Sequence, residues 1–156
     1  MNCGLEFHDS RVASVHSSDD VVTITFKAAY LHRSDGEPGI DKGTGWIQAG
    51  SLVFGSAILP STPDIGEGWI VDGSLRIDAA DELHLMPVPF NVVGTIAAAF
   101  TFNNGYVLRL QGKSSKLTLT GEAEFVDDFH KCDTHPAVFS DPDAPRNFFD
   151  VSAIIP

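Results

Sequence analysis

Apolar and polar residues alternate along most of this chain. From Val22 the even positions Val22, Ile24, Phe26, Ala28 and Tyr30 are apolar or aromatic, with Thr23, Thr25 and Lys27 between them, which predicts a strand with one buried face. Residues 5–8 and 11–16 read as two shorter strands ahead of it, with a turn at residues 17–20. Residues 91–102 read as another strand, Asn103-Asn104-Gly105 as a hairpin turn, residues 106–110 as its return, and residues 112–115 as a further turn. Beyond that turn, Leu117, Leu119, Ala123 and Phe125 place a strand over residues 116–125. Pro87 and Pro89 confine the short apolar run at residues 83–86 to an edge or a bulge. No segment keeps the three-four spacing of an amphipathic helix. Residues 79–83 and 126–131 are the short helical candidates, marginal at that length without tertiary support.

Within this pattern one phrase occurs twice. Residues 45–54 and 68–77 share Gly-Trp-Ile-x-x-Gly-Ser-Leu and each close on a bulky apolar residue. The two copies hold both tryptophans, Trp46 and Trp69. A repeat at this period predicts two equivalent supersecondary units. Asp72-Gly73 fits a two-residue type I′ turn, so the second copy is expected to be a hairpin. Ala49-Gly50 is a weaker turn, and the first copy reads either as a hairpin or as one strand kinked at the glycine. Together these elements predict an all-β fold. The expectation is a single-domain antiparallel β-sandwich or flattened barrel of about eight to ten strands, with an internally repeated hairpin, over residues 1–156. The proline-rich segment 132–156 is expected to be irregular and packed on the body, because Phe139, Phe148 and Phe149 would otherwise stand in water.

Composition narrows the functional classes. The 156 residues carry 21 acidic and 10 basic side chains, a formal charge of −11, and residues 122–150 alone contribute −6 from eight acids against Lys131 and Arg146. Nucleic-acid binding is therefore not expected, since it rests on Lys and Arg displacing counterions. The longest apolar run, residues 92–100, is about half a membrane span, so no membrane association is expected either. The first residues show no secretory pattern, and Cys3 and Cys132 form no disulfide framework, which points to the cytoplasm.

Candidate chemistry is sparse. His130, Cys132 and His135 supply zinc-type donors in close sequence, but the spacing matches no structural zinc pattern, so a solvated acidic loop is the first reading and a zinc site the second. No other cofactor is expected. His8-Asp9-Ser10 cannot form a relay, because neighbouring strand residues point to opposite faces. Gly112-Lys113-Ser114 lacks the upstream glycine of a phosphate loop. The glycine-rich loop at residues 33–44 is where a rigid sheet would carry binding residues, and His32, Arg33, Asp35 and Asp41 are its candidates. Trp46 and Trp69 would form a stacking platform if they faced outward from matching places, against the simpler reading that each anchors the core. No catalytic set converges, so the leading expectation is a non-catalytic domain acting through a protein partner or self-association. A small-ligand or carbohydrate module using Trp46, Trp69 and the glycine-rich loop is the second, and a metal-dependent enzyme at His130, Cys132 and His135 the third.

Overall fold

A computed structural model describes residues 1–59 and 65–130, and all of its regular structure is strand. Seven strands follow in chain order: β1 (Asn2–Ser18), β2 (Val21–Ser34), β3 (Gly43–Gly55), β4 (Gly68–Ile77), β5 (Leu85–Val88), β6 (Asn91–Phe102) and β7 (Val107–Phe129). They pair antiparallel in the order β2-β3-β7-β6-β4-β1-β5, and β2 also pairs with β1. That last pairing closes the sheet. Six strands form a ring, and β5 lies outside it against residues 3–6 of β1. The weakest seam is β1 to β4, which share only the pairs Arg11 with Trp69 and Val12 with Gly68. The architecture is thus an all-β flattened barrel. No helix among the described residues is long and apolar enough to cross a membrane.

The ring is built from fewer, longer strands than the periodicity predicts. Residues 5–8 and 11–16 belong to one strand, β1, which bends rather than ends. Asp9 takes a left-handed φ of 67° at a register break, and the buried Ser10 hydroxyl accepts the backbone N–H of Tyr30 at 3.0 Å where the ladder is interrupted. Residues 112–115 likewise run through β7 without turning, and residues 126–129 extend that strand instead of forming a helix. Residues 79–83 are not helical either. The expected turns that do form are Asp19-Asp20, both at positive φ as a I′ hairpin requires, and Asn103-Asn104-Gly105, with Gly105 at φ 87°.

The hairpin expected at Asp72-Gly73 does not exist: both copies of the repeat are single strands, β3 and β4. In each, the internal glycine faces the barrel interior, where no side chain fits. A Cβ on Gly73 would lie 2.6 Å from the Phe7 Cβ and 2.9 Å from the Phe100 ring, and one on Gly50 would lie 2.6 Å from the Thr118 carbonyl oxygen. The glycines answer to close packing across a strongly curved sheet, not to turns. Around them, Phe7, Phe26, Phe54, Phe100 and Phe102 fill the interior with Leu, Ile and Met side chains that are fully buried. Each such side chain contributes about 2 kcal/mol through burial.

Candidate functional site

On β2, Ala29 and Leu31 point into the core, so Tyr30 and His32 point out. His32 is nevertheless only 5% exposed. Three pieces of the chain cover it. The first is β7, which reaches it across β3. His32 is paired with Gly45 and Ser34 with Gly43, while on the other side of β3 Gly45 is paired with Asp127 and Gly43 with Phe129. Because Gly43 and Gly45 have no side chains on this face, groups from β2 and β7 meet over the strand between them. The Tyr30 hydroxyl donates to Asp127 Oδ1 at 2.8 Å, and the Phe129 ring stands edge-on to His32 with centroids 4.9 Å apart. A Cβ on Gly45 would sit 2.3 Å from both the Tyr30 hydroxyl oxygen and Asp127 Oδ1. Glycine is what that position admits.

The second covering piece is the turn at residues 36–42. Ser34 Oγ donates to the Lys42 carbonyl at 2.8 Å and accepts the Gly36 N–H at 3.0 Å, while Asp41 Oδ2 accepts the Glu37 N–H at 2.7 Å. The backbone N–H groups of Ile40 and Asp41 donate to the Glu37 carbonyl at 3.1 and 2.8 Å. The third piece is β5. Leu85 and Pro38 close over Gly4, where an added Cβ would stand 2.3 Å from Leu85 Cδ2 and 3.4 Å from Pro38 Cβ. What remains between these pieces is a cleft of about 320 Å3 lined by Glu6, His32, residues 37–40, His84, Leu85 and Phe129.

Its chemistry centres on one imidazole. His32 Nε2 is hydrogen-bonded to the Glu6 carboxylate, and His32 Nδ1 is buried with no hydrogen-bond partner. An ionised carboxylate only accepts, so Nε2 carries a hydrogen, and in the neutral tautomer that leaves the lone pair at Nδ1. Beside it, burial first and the Asp127 hydrogen bond second push the Tyr30 phenol up to about 12, so it remains a donor at neutral pH.

The six sequence candidates do not converge. His32 lies in the cleft, Asp41 pins the turn beside it, and Asp35 is exposed on the same loop. Arg33 and Trp46 are on the opposite face of β2 and β3, at one end of the interior. There the Arg33 guanidinium lies 4.5 Å from the Trp46 ring centroid, Trp46 Nε1 donates to Thr44 Oγ1 at 2.8 Å, and Phe125 packs edge-on at 5.5 Å. Beside Arg33, burial raises the Cys3 thiol above its ordinary value against the lowering effect of the guanidinium, which leaves it protonated and unreactive. Trp69 is on the non-adjacent strand β4, 44% exposed, with the Arg11 guanidinium 4.5 Å from its ring centroid. The two tryptophans therefore do not share a surface. His130 is exposed just past β7, Cys132 and His135 lie outside the described residues, and among the described residues no three His, Cys, Asp or Glu side chains are grouped to hold a metal. Segment 132–156 lies outside them as well.

Glu6, Tyr30, Leu85, Asp127 and Phe129 had no local signature. The one visible trace is the Gly43-x-Gly45 spacing ahead of Trp46, which bares one face of a strand. A larger concavity, about 440 Å3, lies outside β4, β6 and β7 between Arg76, Arg109, Gln111 and Ala97–Ala99, but its polar side chains are all exposed and none is left unsatisfied in a buried place. No family model, curated protein or solved structure matches this chain.

Proposed function

We propose that the protein is a small-ligand-binding barrel whose site is the cleft over His32. The observation that carries this reading is the His32 Nδ1 atom, buried and unpaired in a side chain that lines a cleft. Leaving such a group unmet costs about 1–3 kcal/mol, so its retention beside the cleft points to a place kept for binding rather than for packing. Pro38, Ile40, Leu85 and Phe129 supply apolar wall, and Glu6, itself held by His32, fixes the orientation of the imidazole. Few polar groups set in an apolar cleft is the ordinary composition of a ligand site. Histidine-detected NMR during a screen of small fragments tests it. A hit is expected to move the His32 imidazole signals while those of His8 and His16, which line no part of the cleft, stay in place, and His32→Ala is expected to abolish that binding. Hits that bind the variant equally well, or no hit that moves His32, would sink the proposal.

A second reading, contact with a protein partner, draws support from the outer half of β7. Past Leu117, the edge facing away from β3 has no strand partner among the described residues, and Phe125 and Val126 are 51% and 45% exposed there between Glu122, Glu124, Asp127 and Asp128. Two register breaks twist this edge, which weakens it as a template for strand addition. A partner captured by the native protein and equally by a Phe125→Ser, Val126→Ser double variant would remove this reading.

A further inference from the structure

We infer that the concavity outside β4, β6 and β7 is a second binding site, for a small organic anion with a carboxylate or phosphate head and an apolar body. It shares no lining residue with the cleft over His32, so the two sites stand or fall separately. Leu75, Ala98 and Leu110 are buried in the barrel, so the residues on either side of them in β4, β6 and β7 face outward. The register then sets Ala97 between Arg76 and Gln111, and Ala99 between Ser74 and Arg109. Two methyl groups on the central strand cannot fill the space between the longer side chains that flank them. A trough follows, walled on one side by Ile58, whose backbone is bonded to that of Gln111 at 2.7 and 3.3 Å, and its volume of about 440 Å3 suits a molecule of one ring and a head group.

What marks the trough for an anion is the state of its arginines. Of the four among the described residues, Arg11 is paired with Glu67 and lies against Trp69, and Arg33 lies against Trp46. Arg76 and Arg109 have no ion pair, hydrogen bond or ring contact among the described residues, and both line the trough. Acidic side chains outnumber basic ones 21 to 10 in the chain, yet residues 83–121 hold no Asp or Glu and carry Arg109, Lys113 and Lys116. The one acid of the lining, Glu82, accepts the Ser74 hydroxyl at 3.4 Å, and two guanidinium groups against that carboxylate leave a formal charge of +1. An anion is thus attracted here, where the acidic remainder of the surface repels it. Guanidinium forks take a carboxylate or phosphate through paired N–H donors, and the alanine methyls and Ile58 carry the hydrocarbon part. A cation meets two uncompensated positive charges, and a neutral molecule of the same shape gains the apolar contact alone.

Benzoate, phenyl phosphate, benzyl alcohol and benzylammonium, each titrated into the isotope-labelled full chain and followed by NMR, separate these cases. Benzoate or phenyl phosphate is expected to move the amide signals of Ala97–Ala99 and the Nε signals of Arg76 and Arg109, to bind about tenfold more tightly than benzyl alcohol, and to weaken with added salt. The tighter of the two identifies the head group. Benzylammonium is expected to leave these signals in place. Arg76→Gln and Arg109→Gln, both at exposed positions, should each weaken the anion several-fold, and Ala97→Leu, which fills the trough without changing its charge, should abolish binding. Lys116→Gln, outside the trough, should change the affinity by less than about twofold. Equal losses in Lys116→Gln and Arg76→Gln, or undiminished binding by Ala97→Leu, would mean a diffuse surface charge in place of a site and overturn the inference. Benzylammonium or benzyl alcohol binding as tightly as the anions, or no anion moving these signals, would overturn it as well. The His32 imidazole signals report on the cleft separately, so neither site's failure is mistaken for the other's.

Discussion

The two strands that carry the repeated phrase use the same residues differently. In the ring, β3 and β4 stand three steps apart in either direction, so they face each other across the interior. Both turn their internal glycine and the following Leu52 or Leu75 inward. Their tryptophans part company. In β3 the register of Trp46 with Leu31 puts the indole on the core face. In β4 a bulge intervenes, because Ile70 pairs with Phe102 and Asp72 with Thr101, leaving Val71 as an extra residue. One extra residue inverts the faces on either side of it, so Ile70 points in and Trp69 points out. Each indole still meets a guanidinium 4.5 Å from its centroid, Arg33 in one case and Arg11 in the other. The lesson is that a repeated strand sequence preserves local contacts more faithfully than it preserves which side of the sheet they occupy.

The sharpest way to break the shared part of the comparison is to fill the glycines. Gly73→Ala places a Cβ 2.6 Å from the Phe7 Cβ, close to a backbone that cannot move away, and is expected to cost about 3 kcal/mol. Gly50→Ala meets a backbone carbonyl at the same 2.6 Å and is expected to cost about 2 kcal/mol. Gly66→Ala, with nothing within 4 Å, is the control expected to be neutral. Urea denaturation reads all three, and a stable Gly73→Ala protein would contradict the inward placement. The unshared part is probed by the tryptophans. Trp46→Ala removes a half-buried ring packed on Phe125 and is expected to cost about 2 kcal/mol, while Trp69→Ala should cost about 1 kcal/mol or less. Equal costs would mean that the bulge does not divide the two copies.

Smaller effects separate the glycines that precede the tryptophans. With the Tyr30 phenol raised to about 12 from an ordinary 10, the native state holds a proton that the unfolded chain gives up. Stability is therefore flat with respect to this group below pH 10 and declines as pH rises from there towards 12. Tyr30→Phe is expected to remove that decline, and Gly45→Ala to shift the phenol back towards 10 by pushing Tyr30 and Asp127 apart, both measurable by ultraviolet titration with parallel denaturation. The smallest effect is expected at Glu67, just before Gly68, where Lys27 and then Arg11 hold the carboxyl below its ordinary value. This pairing is open to water and screened by salt, so Glu67→Gln should leave the denaturation midpoint unchanged at moderate ionic strength.

Much of this molecule is legible residue by residue. Alternation in β2 as far as Phe26, the strand over residues 91–102, the hairpin at Asn103-Asn104-Gly105 and the absence of helical spacing follow from local sterics and burial, which act over a few residues. Beyond Phe26 the expected buried face fails, because a register break between Phe26 and Ala29 turns Ala29 and Leu31 inward in place of Ala28 and Tyr30. The same locality explains the misreadings. Asp72-Gly73 has the composition of a turn, but a glycine wanted by a turn and one wanted by a close approach of Phe7 and Phe100 are spelled alike. The loop at residues 33–44 was legible as a place for binding residues, and His32 beside it lies in the cleft. Its partners Glu6 and Phe129 come from the two ends of the described chain.

By itself, then, the sequence determined an antiparallel all-β chain with an acidic surface and two matching strands, because hydrophobic periodicity and charge are properties of neighbours. Only the tertiary structure decided that the sheet closes by pairing β1 with β2, that one bulge turns Trp69 outward, and that two glycines in β3 let β2 and β7 meet over it around a buried imidazole whose Nδ1 has no partner. Those outcomes depend on register between strands far apart in the chain, and register is settled by the packing of the whole ring.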